Sequence, residues 1–308
     1  MSVKQIVVQP QDLIQPYFAL AGRSRKEPIP HMPGIFRLSA DLIVRDVATL
    51  IRNGVRGVLL FGIARKKDSM GSDAYDETAA IQSATRALRK RFGKKILIVT
   101  DVCLCGFTDH GHCGILRGRK IDRERTLCAL GRIAVSQAEA GADLVGPSAM
   151  TVGQVKAVRG ALDHAGFSKV GVWAYAIKYA SSFYGPFRDA LGSAPKFGDR
   201  KAYQRDPSDT SRGIRVALQD QKDGADVLMV KPAMPYLDII HRLKQRTKAP
   251  VAAFHVSGEY GMLKQASRAG IFDEKAAVLE TLLAVRRAGA EKIITYYAGE
   301  VAKWLKQK

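Results

Sequence analysis

Eight short apolar, β-branched-rich segments recur along the chain, at 12–20, 55–63, 95–104, 142–148, 169–177, 225–230, 250–256 and 292–297. Between most of them lie stretches of helical spacing, such as 41–53, 76–92, 124–140, 152–165, 235–247 and 273–288. Runs such as Val227-Leu-Met-Val230 have no polar alternate face, as expected of parallel strands covered on both sides. Eightfold strand–helix alternation in 308 residues predicts an α/β protein, a (β/α)₈ TIM barrel. An open doubly wound sheet is the runner-up, but no Gly-rich phosphate loop follows the first segment. No linker or composition break divides residues 12–308, so one barrel domain is expected after a short N-terminal arm at 1–11.

A barrel of this kind carries its chemistry at the carboxyl ends of its strands. The third segment leads into Asp101-Val-Cys-Leu-Cys-Gly-Phe-Thr-Asp-His-Gly-His-Cys113. Alternation puts Cys103 and Cys105 on one side of an extended strand, and a turn on Gly106 and Gly111 returns Cys113 to them. Three converging soft ligands suit Zn²⁺ with one coordination position open, as a Lewis acid requires. Two core thiols and a chance third are the weaker reading, given His110 and His112 alongside. Cys128, alone in a helical stretch, reads as a packing residue.

The fifth segment ends in Lys178, the sixth in Lys231, the seventh in Ser257 and the eighth in Tyr296-Tyr297. Burial at the end of an apolar strand disfavours the Lys231 ammonium, and a second cation at Lys178 on the neighbouring strand depresses it further. A neutral amine so placed can form a Schiff base with a carbonyl substrate. Singly, a strand-end lysine is more often a snorkelling or salt-bridged residue. Two of them beside a thiol cluster favour chemistry. The long polar connection at 179–211 reads as an active-site lid. In it, Arg188 and Arg200 suit a carboxylate, in competition with ordinary surface charge.

The formal net charge is +20, from 49 Lys and Arg against 29 Asp and Glu. The basic residues fall in short groups without interleaved aromatics, which reads as a solvated surface rather than a nucleic-acid site. No run approaches a membrane span, and the opening residues lack the charged start, apolar stretch and small-residue site of a leader, so none is expected. With the clustered thiols, this points to a reducing cytoplasm.

Four ordered motifs closely resemble the porphobilinogen synthase (5-aminolevulinate dehydratase) family. They are Asp101-Val-Cys-Leu-Cys with His110-Gly-His-Cys113, Lys178 to Asp189, Met229-Val-Lys-Pro-Ala-Met-Pro-Tyr-Leu-Asp238 and Val256-Ser-Gly-Glu259. The resemblance implies condensation of two 5-aminolevulinate molecules into porphobilinogen with loss of two waters. It implies that Lys231 binds the first substrate, with Ser257 and Tyr296 on its carboxylate, and Lys178 the second, with Arg188, Arg200 and Gln204. Asp101 is then available for proton transfer beside the metal. Cys103, Cys105 and Cys113 match the family's zinc-dependent branch. Val216 stands where many bacterial members carry an acidic ligand for an activating magnesium, so no allosteric Mg²⁺ is expected. The family implies a homo-oligomer, an octamer by its usual pattern, with a dimer or hexamer as alternatives because the arm here is short.

One segment departs from the family pattern. Pro147-Ser-Ala-Met-Thr-Val-Gly-Gln154 stands where the family reads Pro-Ser-Asp-Met-Met-Asp-Gly-Arg. As a strand end facing the site, it is expected to weaken proton transfer or orientation of the second substrate. Two alternatives therefore stand beside the active synthase: a diverged paralogue retaining Schiff-base chemistry, and a non-enzymatic basic binding protein.

Overall fold

The computed structural model describes residues 6–307, so part of the expected arm lies outside the described residues. The chain enters through β1 (Leu13–Leu20), a side ribbon of β2 (Lys26–Pro28) and β3 (Phe36–Ser39), and α1 (Ala40–Arg52). Then come β4 (Gly57–Gly62), α2 (Ala80–Phe92), β5 (Leu97–Val102), the short hairpin β6 (Leu116–Arg117) and β7 (Lys120–Ile121), and α3 (Arg123–Glu139). β8 (Leu144–Pro147), α4 (Gln154–His164), β9 (Gly171–Lys178), α5 (Gly185–Leu191) and α6 (Arg212–Lys222) follow. The last quarter holds β10 (Val227–Lys231), α7 (Leu237–Lys244), β11 (Val251–His255), α8 (Ser257–Arg268), α9 (Glu274–Arg287), β12 (Lys292–Thr295) and α10 (Ala298–Lys306).

Eight strands pair in the order β1-β4-β5-β8-β9-β10-β11-β12. β12 pairs back in parallel with β1, through Leu13↔Ile293 and Ile14↔Ile294, and closes the barrel. The wall strands β4, β10 and β11 are buried along their whole length, which is why they read as continuous apolar runs. The outer helices are amphipathic: α1 turns Ile43, Val47 and Leu50 inward, at the four- and three-residue spacing of one helical face. Asp122 and Asp273 fix the starts of α3 and α9 by accepting from the amides of Arg125 and Ala276. Gly57 is dictated by space, since a Cβ there would lie 2.2 Å from Ile14 Cδ1 across the β1–β4 seam.

Three local readings need correction. The third segment stops at Val102, so Cys103 and Cys105 lie beyond the strand in a turn where Phe107 and Thr108 both donate to Leu104 O. The connection after β9 is not merely polar: it contains α5, whose short Gly-Pro start disguised it. Cys128 is exposed on the outer face of α3 rather than packed.

Candidate active site

The two strand-end lysines meet because of a fault in the regular ladder. Val227↔Trp173 and Leu228↔Ala174 are in step, but Val230 pairs with Ile177 and Lys231 with Lys178. β9 therefore carries one extra residue against β10, a bulge. In a regular strand Tyr175 and Lys178, three apart, would face opposite sides of the sheet. Here both turn toward the mouth of the barrel, with the Tyr175 ring centre 5.7 Å from Lys178 Nζ and 5.2 Å from Lys231 Nζ.

Lys231 is surrounded by aromatic rings. Its Nζ lies 4.1 Å from the ring centre of Phe254, 4.7 Å from Phe187 and 5.4 Å from Tyr184. Burial, reinforced by the charge of Lys178, pushes its amine down to about pKa 7. The Lys178 ammonium donates to Ser148 O at 2.8 Å. Asp101, at the end of β5, is pushed up to about 6 by burial and by the neighbouring Cys105 sulfur. Its Oδ1 and the Tyr175 hydroxyl are both buried without a hydrogen-bond partner. An amine and a carboxyl titrating near neutrality in one closed space can exchange protons with little driving force against them.

Cys103, Cys105 and Cys113 are all buried, and their sulfurs lie within 4.8 Å of one another. The Cys103–Cys105 Sγ separation is 3.6 Å. A tetrahedral zinc with Zn–S bonds of about 2.3 Å holds its sulfurs roughly 3.8 Å apart. The donor set therefore fits that ion. Hydrogen bonds from Cys103 and Cys105, together with Arg200 and Lys178, hold the Cys113 thiol well below its ordinary range, toward the thiolate a metal requires. His110 and His112 do not join the triad: His112 Nδ1 and Nε2 approach Tyr203 Oη and Phe197 O, and His110 Nδ1 accepts from the His112 amide.

One enclosed cavity is lined by Asp101, Cys105, Ser148, Lys178, Tyr184, Phe187, Arg200 and Lys231. Of the carboxylate-binding candidates, only Arg200 lines it. Arg200 is buried and donates to Gly111 O at 2.8 Å and also to Ser193 O. Arg188 Nε, Arg200 Nε, both amide atoms of Gln204 and the Tyr296 hydroxyl are buried without partners. Buried polar atoms are nearly always paired, so a cluster of unpaired ones marks a place prepared for a ligand. Ser257 Oγ accepts from the Phe187 amide at 3.0 Å and donates to Phe183 O at 3.3 Å, tying α8 to the start of α5. Tyr296 stacks against Phe18 and lies beside Phe254, which brings it to the ring wall of Lys231.

The diverged segment after β8 does not face the site as a whole. Val152 is 74% exposed. Gln154 spends its side chain on its own turn, accepting from the Met150 amide at 2.9 Å and donating to Pro147 O at 3.2 Å. That bond braces Met150 in the left-handed region, at φ 63°. Only Ser148 from this segment lines the cavity. Sequence reading also missed four neighbours of the amines: Ser148, Tyr175, Tyr184 and Phe187. Tyr175 was hidden because a tyrosine inside an apolar run looks like ordinary core.

The family described as "Delta-aminolevulinic acid dehydratase" matches residues 1–304. Relatives described by the same words include one from Halalkalibacterium halodurans, 47% identical over 306 residues, covering 99% of this chain and 93% of the relative. Another, from Bacillus subtilis, is 44% identical over 303 residues, covering 98% and 93%. A crystal structure of the Toxoplasma gondii delta-aminolevulinic acid dehydratase, in complex with its reaction product porphobilinogen, superposes with a TM-score of 0.96. It is 41% identical and covers 99% of this chain and 88% of that one. A Xanthomonas albilineans dihydropteroate synthase, 12% identical with a TM-score of 0.51, shares the fold alone.

Proposed function

Because the chain belongs to the delta-aminolevulinic acid dehydratase family and condenses two 5-aminolevulinate molecules to porphobilinogen, we propose a division of labour among its residues. Lys231 forms the Schiff base with the first substrate. Its neutral amine attacks the ketone carbon, and the carbonyl oxygen leaves as water with both amine protons, giving an imine. Lys178 holds the second substrate in the same way. The observation that carries this assignment is the Lys231↔Lys178 register pair, with two amines at one mouth and one of them titrating near neutrality.

Asp101 moves protons between the condensing molecules. Its Oδ1 is free for this, and its carboxyl titrates near 6. Ser257 and Tyr296 receive the carboxylate of the first substrate, and Arg188, Arg200 and Gln204 that of the second. The unpaired buried polar atoms of Tyr296, Arg188, Arg200 and Gln204 support the division. Cys103, Cys105 and Cys113 would hold a zinc ion, which when bound would supply Lewis acidity beside the two amines. Val216 offers no ligand atom, and no magnesium is proposed there. The segment from Tyr179 to Ser211 acts as the lid of a single barrel domain.

The family likeness supports a homo-oligomer. The reduced thiols suit a cytoplasmic setting, and no described helix is long and apolar enough to cross a membrane.

Borohydride added with 5-aminolevulinate is expected to fix a covalent adduct on Lys231, with Lys178 as a second position. Lys231→Arg should abolish labelling of that peptide, since a guanidinium stays protonated. Undiminished labelling there by mass spectrometry would overturn the assignment. An adduct on Lys231 without porphobilinogen formation would instead indicate a paralogue of altered second substrate.

A further inference from the structure

Glu259 is the one fully buried carboxylate near the amines that the reaction as assigned leaves idle. It is 0% exposed, yet it sits in the first turn of α8 with its side chain directed back at two loops. Its Oε1 accepts from the Met234 amide at 2.5 Å, in the loop that continues β10 beyond Lys231. Its Oε2 accepts from the Val256 amide, at the end of β11. A carboxylate so buried is costly unless both oxygens are engaged. Burial pushes its carboxyl up to about 7, and the two bonds from backbone amides fix the two loops in one relative position.

The turn it belongs to is crowded on its other side. A Cβ at Gly258 would lie 2.6 Å from Phe183 Cα, so backbone meets backbone there. Ser257 bonds the same segment through Phe187 and Phe183. Tyr184, from that segment, donates to Lys231 O at 3.1 Å. Ser257, Gly258 and Glu259 thus touch, in order, the lid helix, the lid backbone and the loop of the reacting amine.

We propose that Glu259 is a positioning residue which sets the distance between the Lys231 amine and the Ser257 hydroxyl, so that both engage one substrate molecule. The inference rests on the assignment of Lys231 and Ser257 above. A substrate that spans amine and hydroxyl gains from preorganisation only if that span is held rigid. A ketone lacking the carboxylate uses the amine alone and gains nothing from the strut.

The test compares borohydride trapping on Lys231 of 4-oxopentanoate and of pentan-2-one, the same carbon chain without the carboxylate. In the parent the keto acid should be trapped faster. In Glu259→Gln, whose amide keeps one acceptor and turns a donor toward the other N–H, that preference should fall about tenfold while the neutral ketone is trapped as before. Glu259→Asp keeps the carboxyl but is too short to reach both amides. It should lower the preference in the same direction, and serves where the Gln variant fails to fold. A merely structural role would reduce the trapped amount of both ketones together. A preference within twofold of the parent in a variant that still traps overturns the proposal. Failure of the parent itself to trap at Lys231 would instead strike the underlying assignment.

Discussion

The reactivity of Lys231 follows from its surroundings more than from its own chemistry. An ordinary lysine amine stays protonated until about pH 10.4. Here burial and the Lys178 charge bring it down to about 7. Depression favours the neutral form, so nucleophilic amine accumulates as pH rises through 7 rather than through 10. The rate of borohydride trapping is therefore expected to climb between about pH 6 and 8 and then level, with no second rise toward pH 10. A rate still climbing above pH 9 would mean that the amine is solvated and the ring cage open. The identity of both lysines was legible in the sequence, because a charge ending an apolar strand is conspicuous. Phe187 and Tyr184 were not legible as neighbours of Lys231, since they come from a segment distant along the chain and reach it only through folding of α5.

At the level of elements, α5 is clasped at both ends. Arg37 Nε and Nη2 donate to Ala190 O and Asp189 O at 2.7 and 2.8 Å. Lys67 Nζ donates to Leu191 O and Gly192 O. Two cations on the last carbonyls of a helix satisfy its open acceptors and oppose its dipole. The Ser257 hydroxyl holds the other end, at the Phe187 amide. Removing both cations, as Arg37→Ala with Lys67→Ala, should loosen the ring of Phe187 over Lys231. KM for 5-aminolevulinate is then expected to rise several-fold with the zinc content unchanged, measured by steady-state kinetics and metal analysis.

The start of α4 leads to the opposite expectation. With Val152 in solvent and Gln154 bonded to its own turn, restoring Asp at 149 and 152 and Arg at 154 should not accelerate porphobilinogen formation. The triple variant is expected to be no faster than the parent in a direct product assay. It also carries the cost of a carboxylate at the buried Ala149 position. The sequence showed that this segment had diverged. It could not show which of its side chains turn away, because that depends on the left-handed turn at Met150.

Across the whole molecule, the fold rests on a closed wall of strands and the chemistry on loops at one rim. The thiol triad lies beyond the end of β5 and holds no strand in place. A strong chelator is therefore expected to stop turnover while shifting the thermal midpoint by only a few degrees. Circular dichroism and product formation followed in the same titration would check this. Strand order was legible because eight apolar runs leave few alternatives to a barrel. The bulge in β9 was not, because a single surplus residue leaves no mark on hydrophobic periodicity. Yet that residue decides parity. Side chains on a strand alternate like even and odd numbers, and one added residue exchanges the two classes beyond it. Upstream of the fault β9 and β10 count together; downstream they differ by one, and Lys178 comes to stand opposite Lys231. The surplus residue lets Tyr175 and Lys178, three apart on β9, share the side that Met229 and Lys231, two apart on β10, occupy. The two-substrate site is in this sense a matter of counting. Point substitutions around the rim can tune it, but they leave untouched the register that sets the two amines side by side.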